Sequence, residues 1–271
     1  MYKYKIIGRS NIRTYLTKYL IDDENFMEST DDSPDIIFLV GTKENSSDFN
    51  IEDYPNSKII DVSSYKRLSA STKYVDTGTD IVYGIPNITK DYQNYRYVSN
   101  PGCSAIGSIM SLDPIIEYLE KDIILDVKFS KSSLTRKSSF NDKKDILTTI
   151  HPFKHSHQKE VNHFFGNKYN IKMIPSIIDV PKGVSINIHA FKKDKNDNLL
   201  NELYEYYRDI ENVTILSDRL PELKDVLYTN KIFIGIAEDE DNILINVVLD
   251  NLTVGGAYTA YMNGREILNV E

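Results

Sequence analysis

The sequence predicts an α/β protein of two domains: a doubly wound parallel sheet, then an α+β domain with a mixed, largely antiparallel sheet. Three observations predict it. The chain has 271 residues, enough for two modest domains at about 150 residues each. Over its first hundred residues, short apolar runs alternate with helical patterns, which implies parallel strands with helices on both faces. Beyond about residue 120 the runs lengthen and few helices separate them, which suits a mainly antiparallel sheet.

The elements follow in order. Lys5-Ile6-Ile7-Gly8 is a buried strand ending in glycine, and Ile12, Tyr15, Leu16, Tyr19 and Leu20 recur at helical spacing over 11–21. Residues 35–40 and 57–62 read as the second and third buried strands, and Tyr97–Ser99 as one more. Asn100-Pro101-Gly102-Cys103 then turns into a helix marked by Ile106, Ile109, Met110, Leu112 and Ile116, interrupted near Pro114. Residues 122–130, 172–178, 184–191, 231–237 and 242–249 read as strands, and 201–207 and 255–267 as helices. The domains are expected at 1–102 plus 251–271, and at 103–250, with the site in the crevice between them.

Composition excludes several classes. Hydrophobic residues are 41% and charged residues 27%, as in a soluble globular protein. Lys plus Arg is 32 against 40 Asp plus Glu, a net charge of −8, which argues against nucleic-acid binding. The longest aliphatic runs are about five residues, where a membrane-spanning helix needs about 20. One cysteine and no signal-like N-terminus point to a reducing, cytoplasmic compartment.

That cysteine, Cys103, has two readings. It is a small buried hydrophobe, or a nucleophile at a strand-to-helix turn. Pro101-Gly102 makes the turn sharp, and Ser104, Ala105 and Gly107 keep the first helical turns slim. Helix N-terminal N–H groups favour a thiolate and can stabilise an oxyanion formed when it attacks a carbonyl. Four of the five histidines lie close together: His151, His155, His157 and His163. They are a solvated loop, a metal site with His155 and His157 on one side of an extended segment, or the acid/base partner a thiolate needs. No convincing third ligand accompanies the metal reading, so no metal is assigned.

From Lys128 to Lys172 the chain has ten basic and three acidic residues. Inside an acidic protein this suits an anionic substrate, or is a solvated lysine-rich face. Finally, Gly8-Arg9-Ser10-Asn11-Ile12-Arg13-Thr14 links a strand to a helix, where a dinucleotide-binding fold places its glycine-rich turn. Only the first glycine is present.

Together these segments resemble the N-acetyl-gamma-glutamyl-phosphate reductases. They also resemble the related lysine-pathway reductases acting on an aminoadipyl phosphate held on an amino-group carrier protein. Residues 60–68 (IDVSSYKRL) are similar to IDLSADFRL, 82–86 (VYGIP) to VYGLPE, and 100–103 (NPGC) match the nucleophile motif. His155-Ser156-His157-Gln158-Lys159-Glu160 resembles HRHxxE, and Pro181-Lys182-Gly183 resembles xRG. Residues 249–252 (LDNL) with Gly255 and Asn263 resemble IDNLxxGAAGQAVQNMN, and 220–227 lie where the family has PxxKxVxGTN.

The resemblance implies a semialdehyde-dehydrogenase-like fold whose first domain is Rossmann-like and binds NADP. Cys103 would attack an acyl phosphate and form a thioester, which NADPH reduces to an aldehyde, in arginine or lysine biosynthesis. His155 would be the acid/base, with His157, Arg136 and Lys182 binding substrate; the two histidines could exchange roles. Gly8, Ser10, Asn11, Ile12, Arg13 and Asn263 would bind the nucleotide. The substrate would be free or carried on an acidic carrier protein, and the assembly a homodimer or homotetramer. The chain departs from the family at Asn11 and Thr14, where glycines are expected, and is shortened between Leu20 and Pro34. A non-catalytic homologue serving as a binding module is the alternative expectation.

Overall fold

The computed structural model describes residues 1–134 and 138–270, and the chain divides into two compact units. The first comprises Met1–Gly102 with Gly256–Glu271, and the second Cys103–Gly255.

The first unit opens with β1 (Tyr2–Ile7), α1 (Asn11–Asp22), β2 (Phe26–Glu28), β3 (Ile36–Leu39) and α2 (Lys43–Ser47). It continues with β4 (Lys58–Asp61), β5 (Ile81–Tyr83) and β6 (Tyr97–Ser99). The six strands are all parallel, in the order β2-β1-β3-β4-β6-β5. All four residues of β3 are buried, as expected of a strand covered on both faces. Residues 35–40 are therefore the third strand, not the second: the shortened stretch after Leu20 still forms a three-residue β2. This strand ends level with Tyr4, well before β1 does.

Because β2 and β3 lie on opposite sides of β1, the strand order reverses there, and in such sheets ligands bind beyond the carboxyl ends of the strands at that point. Gly8 sits at that point with φ +100°, and a Cβ there would lie 3.1 Å from the Gly41 nitrogen and from the Val40 carbonyl carbon. The positive φ favours glycine, and the tight approach to the Val40–Gly41 backbone adds to that preference.

The second unit begins with α3 (Cys103–Leu112), β7 (Asp122–Phe129), β8 (Leu147–Thr149), α4 (Ser156–Phe164), β9 (Asn170–Ile178) and β10 (Val184–Phe191). It ends with α5 (Leu199–Tyr207), β11 (Val213–Leu216), β12 (Ile232–Glu238) and β13 (Asn242–Leu249). Its sheet runs β11-β12-β13-β10-β7-β9-β8. The β7–β9 and β11–β12 pairs are parallel and the rest antiparallel, so the sheet is mixed and largely antiparallel.

The α3 helix packs on β10 and β13, and α4 on β9. Gly107 permits the first contact, since a Cβ there would meet Leu249 at 2.7 Å and Ile186 at 2.8 Å. Strand register gathers several loops at one end of the sheet. Val184, where β10 starts, pairs with Phe129 at the end of β7 and with Leu249 at the end of β13; Ile232, where β12 starts, also pairs with Leu249.

After a π-helical turn at Thr253–Ala257, α6 (Tyr258–Leu268) rejoins the first unit. Ala257, Ala260 and Ile267 pack with Ile36, Phe38, Ile60 and Val98 there. The α/β class, with one parallel and one mixed sheet, is as the sequence predicts. Among the described residues no helix is long and apolar enough to cross a membrane.

Candidate active site

Within the second unit, Cys103 is the first residue of α3 and is half-buried, at the positive end of the helix. Gly255 lies directly against it. A Cβ at position 255 would sit 2.5 Å from the Cys103 Cβ, so only glycine lets the turn after β13 pass this close. Ser104, fully buried, places its hydroxyl oxygen 2.7 Å from His157 Nδ1. That bond ties the first turn of α3 to the first turn of α4.

His155 is the N-cap of α4, and its Nδ1 accepts the His157 backbone N–H at 3.2 Å. The neutral ring therefore carries its proton on Nε2. Phe129 stacks on the His155 ring at 5.2 Å, and the His157 ring stands edge-on to it at 4.6 Å. Burial holds the His155 pKa below its ordinary 6.5, against the opposing charge of Glu160. Glu160 is itself 2% exposed, with Oε1 4.0 Å from His157 Nε2. The two histidines belong to a helix start and not to the extended segment that the metal reading assumed.

Lys182, which the resemblance would have bind substrate, is engaged in an ion pair. Its ammonium is 2.8 Å from the fully buried Asp250 carboxylate, and the side chain is only 10% exposed. The other Asp250 oxygen accepts the N–H groups of Leu252 and Thr253, and the Asp250 carbonyl accepts that of Gly255. Lys182 thus holds the turn that carries Gly255 to Cys103. Next to it, the Asn251 side-chain oxygen accepts the Gly183 N–H at 2.7 Å and the Ser132 hydroxyl at 2.9 Å, while its amide donates to Ser133. Asp250 and Asn251 were visible in the sequence as part of LDNL, but nothing there indicated that they brace the site. Arg136 lies outside the described residues.

The basic segment is less positive than its composition. Lys128 pairs with Asp126, outside the counted stretch, and Lys131 lies 2.6 Å from Asp179.

The residues expected to meet a nucleotide lie in the first unit. Arg13 folds back so that its guanidinium donates to the Gly8 carbonyl at 2.9 Å and the Ile6 carbonyl at 3.3 Å. Ser10 caps α1 with its hydroxyl oxygen buried and unbonded among the described residues. Asn11 is exposed, and Ile12 packs against the core. Asn263 is fully buried: it accepts from the Tyr92 hydroxyl and donates to the Gly84 carbonyl and to Asn100. It exposes no polar atom, so it braces this region instead of lining its surface. Arg67, unremarked in the sequence beyond its motif, donates to the Asn100 carbonyl at 2.9 Å. An unpaired, buried hydroxyl at the start of α1 fits a phosphate-bearing nucleotide.

A parallel-sheet unit joined to a mixed-sheet unit that opens on a cysteine defines the semialdehyde-dehydrogenase class of fold. Aspartate semialdehyde dehydrogenase II from Vibrio cholerae superposes with a TM-score of 0.77 over 100% of this chain and 99% of its own, at 14% identity. The Candida albicans aspartate semialdehyde dehydrogenase solved with NADP gives 0.73 at 13% identity. Residues 103–251, more than half of the chain, match the family model for the semialdehyde dehydrogenase dimerisation domain, and the chain belongs to that family.

Among curated relatives, N-acetyl-gamma-glutamyl-phosphate reductase of Caldicellulosiruptor saccharolyticus is 31% identical over 80% of this chain. A putative [LysW]-L-2-aminoadipate/[LysW]-L-glutamate phosphate reductase of Pyrococcus horikoshii is 28% identical over 84%. The alignments span 66% and 74% of those two proteins. The resemblance read from the motifs is borne out.

Proposed function

We propose that this chain is an NADPH-dependent acyl-phosphate reductase, with Cys103 as nucleophile. The observation carrying this reading is the tie between the starts of α3 and α4, where the Ser104–His157 hydrogen bond joins the residue after the cysteine to the histidine pair.

In this reading the Cys103 thiolate attacks the acyl carbon, the bond to the phosphate oxygen breaks, and inorganic phosphate leaves a thioester. A reduced nicotinamide, when bound, supplies the hydride that reduces it. His155 offers Nε2–H to the acyl oxygen as negative charge develops there. His157, held by Ser104, positions the substrate beside it. When the C–S bond breaks, the aldehyde leaves and the thiolate returns. Lys182 is reassigned from substrate contact to bracing the Gly255 turn. Gly8, Ser10 and the first N–H groups of α1 would hold the nucleotide phosphates.

The substrate proposed is N-acetyl-gamma-glutamyl phosphate or a carrier-bound aminoadipyl or glutamyl phosphate, after the names of the relatives. Assembly as a homo-oligomer through the second unit's sheet is proposed from the family description.

Two measurements test this. The first is phosphate-dependent reduction of NADP+ by each candidate semialdehyde, which Cys103→Ser should abolish. The second is mass analysis after mixing with acyl phosphate alone, which should find the acyl group on Cys103 and one phosphate released per chain. Unchanged turnover by Cys103→Ser would overturn the proposal.

A further inference from the structure

Tyr228 has an unusual backbone. Its φ is +64°, in the left-handed region that bulky side chains rarely occupy, and its side chain is left exposed, the residue being 77% exposed. Two contacts coincide there. The Tyr228 backbone N–H donates at 3.0 Å to Asp250 Oδ2, the oxygen that also takes the Lys182 ammonium. The Tyr228 ring lies over that ammonium, 4.4 Å from Nζ to the ring centroid. With φ positive, one residue bonds the carboxylate and roofs the cation. In the family pattern PxxKxVxGTN this position is glycine, which takes such a φ freely but has no ring to offer.

We propose that Tyr228 is a specificity-determining residue: its ring closes Lys182 to anions, reserving the ammonium for Asp250. Lys182 then acts on the Gly255 turn, and an entering group meets the aromatic face in place of a positive charge. A chain with glycine here would present the same lysine as an anion receptor. The inference concerns the site proposed above and deepens that reading. Its test does not depend on turnover, so either can fail without the other.

The test is the acetylation rate of Lys182 by acetic anhydride, read by peptide mass spectrometry on the folded full chain, with and without inorganic phosphate. Lys192, at the opposite end of β10 and paired with Glu238, is the internal reference. Tyr228→Gly and Tyr228→Asn both tolerate positive φ and remove the ring; Tyr228→Phe keeps it. Lys182 acetylation is expected to rise about two- to fivefold in the two ringless variants, the size of a cation–π contact whose ring faces solvent, and to stay at the wild-type rate in Tyr228→Phe. Phosphate should slow Lys182 acetylation in the ringless variants and leave wild type unaffected. Equal rates in wild type and Tyr228→Gly would overturn the proposal. So would Tyr228→Phe behaving like Tyr228→Gly, or phosphate giving no protection once the ring is gone.

Discussion

The hydroxyl oxygen of Ser104 lies 2.7 Å from Nδ1 of His157, although 53 residues separate them in the chain. Ser104 is fully buried, and the bond itself is part-buried. Ser104→Ala removes this bond, which should cost about 0.5–1.5 kcal/mol of stability. If the bond also positions the histidine pair for catalysis, kcat should fall more than KM rises. Urea titration and steady-state kinetics on the same preparation check both.

His155 makes stability depend on pH in a defined direction. Burial depresses its pKa in the folded protein below the ordinary 6.5, with Glu160 opposing and His151 reinforcing. The unfolded chain therefore binds a proton more readily than the folded one. The contribution is fully present above 6.5 and is lost as pH falls through the lower, folded value. His155→Asn should flatten this part of the stability profile, measured by urea midpoints on either side of 6.5. An unchanged slope would show that the imidazole is not the source.

The Lys182–Asp250 pair predicts an asymmetric mutational response. Lys182→Met leaves a fully buried carboxylate without its cation and should cost about 3–5 kcal/mol. Lys182→Arg restores the charge and should recover a large part. Thermal unfolding of the two variants side by side measures the difference.

At Gly255 the added atom matters more than backbone freedom. Gly255→Ala brings a methyl to 2.5 Å from the Cys103 Cβ. One of the two segments must move, at about 1–3 kcal/mol. Alkylation of Cys103 by iodoacetamide should change in rate, whereas Gly78→Ala, strained by its φ of +67° but with no neighbour within 4 Å, should leave that rate unaltered.

The sequence was most legible where elements are long and periodic. The strands from β7 onward that span seven residues or more, and helices α1 and α3, follow directly from apolar spacing. Short strands β2, β5 and β8 have three residues each, too few for an alternation to register, whereas the equally short β6 was legible from the Pro-Gly turn that follows it. Helix α4 was hidden for another reason. Its N-cap is a histidine, not one of the usual small polar capping residues, and its buried face rests on Glu160, Val161 and Phe164. The sequence thus presented His155 and His157 as a cluster without showing that they begin a helix.

By itself the sequence determined the fold class, the solitary cysteine at a strand-to-helix turn and the histidine pair that could serve it. These depend on local spacing and on which chemistry each residue type can perform. Only the tertiary structure decided what the charged and polar groups touch. Lys182 pairs with Asp250, Asn263 is enclosed, and Tyr228 takes a left-handed backbone with its ring over the Lys182 ammonium. A buried charge or amide must find its partner wherever the chain folds one beside it, and that partner lies far away in the sequence.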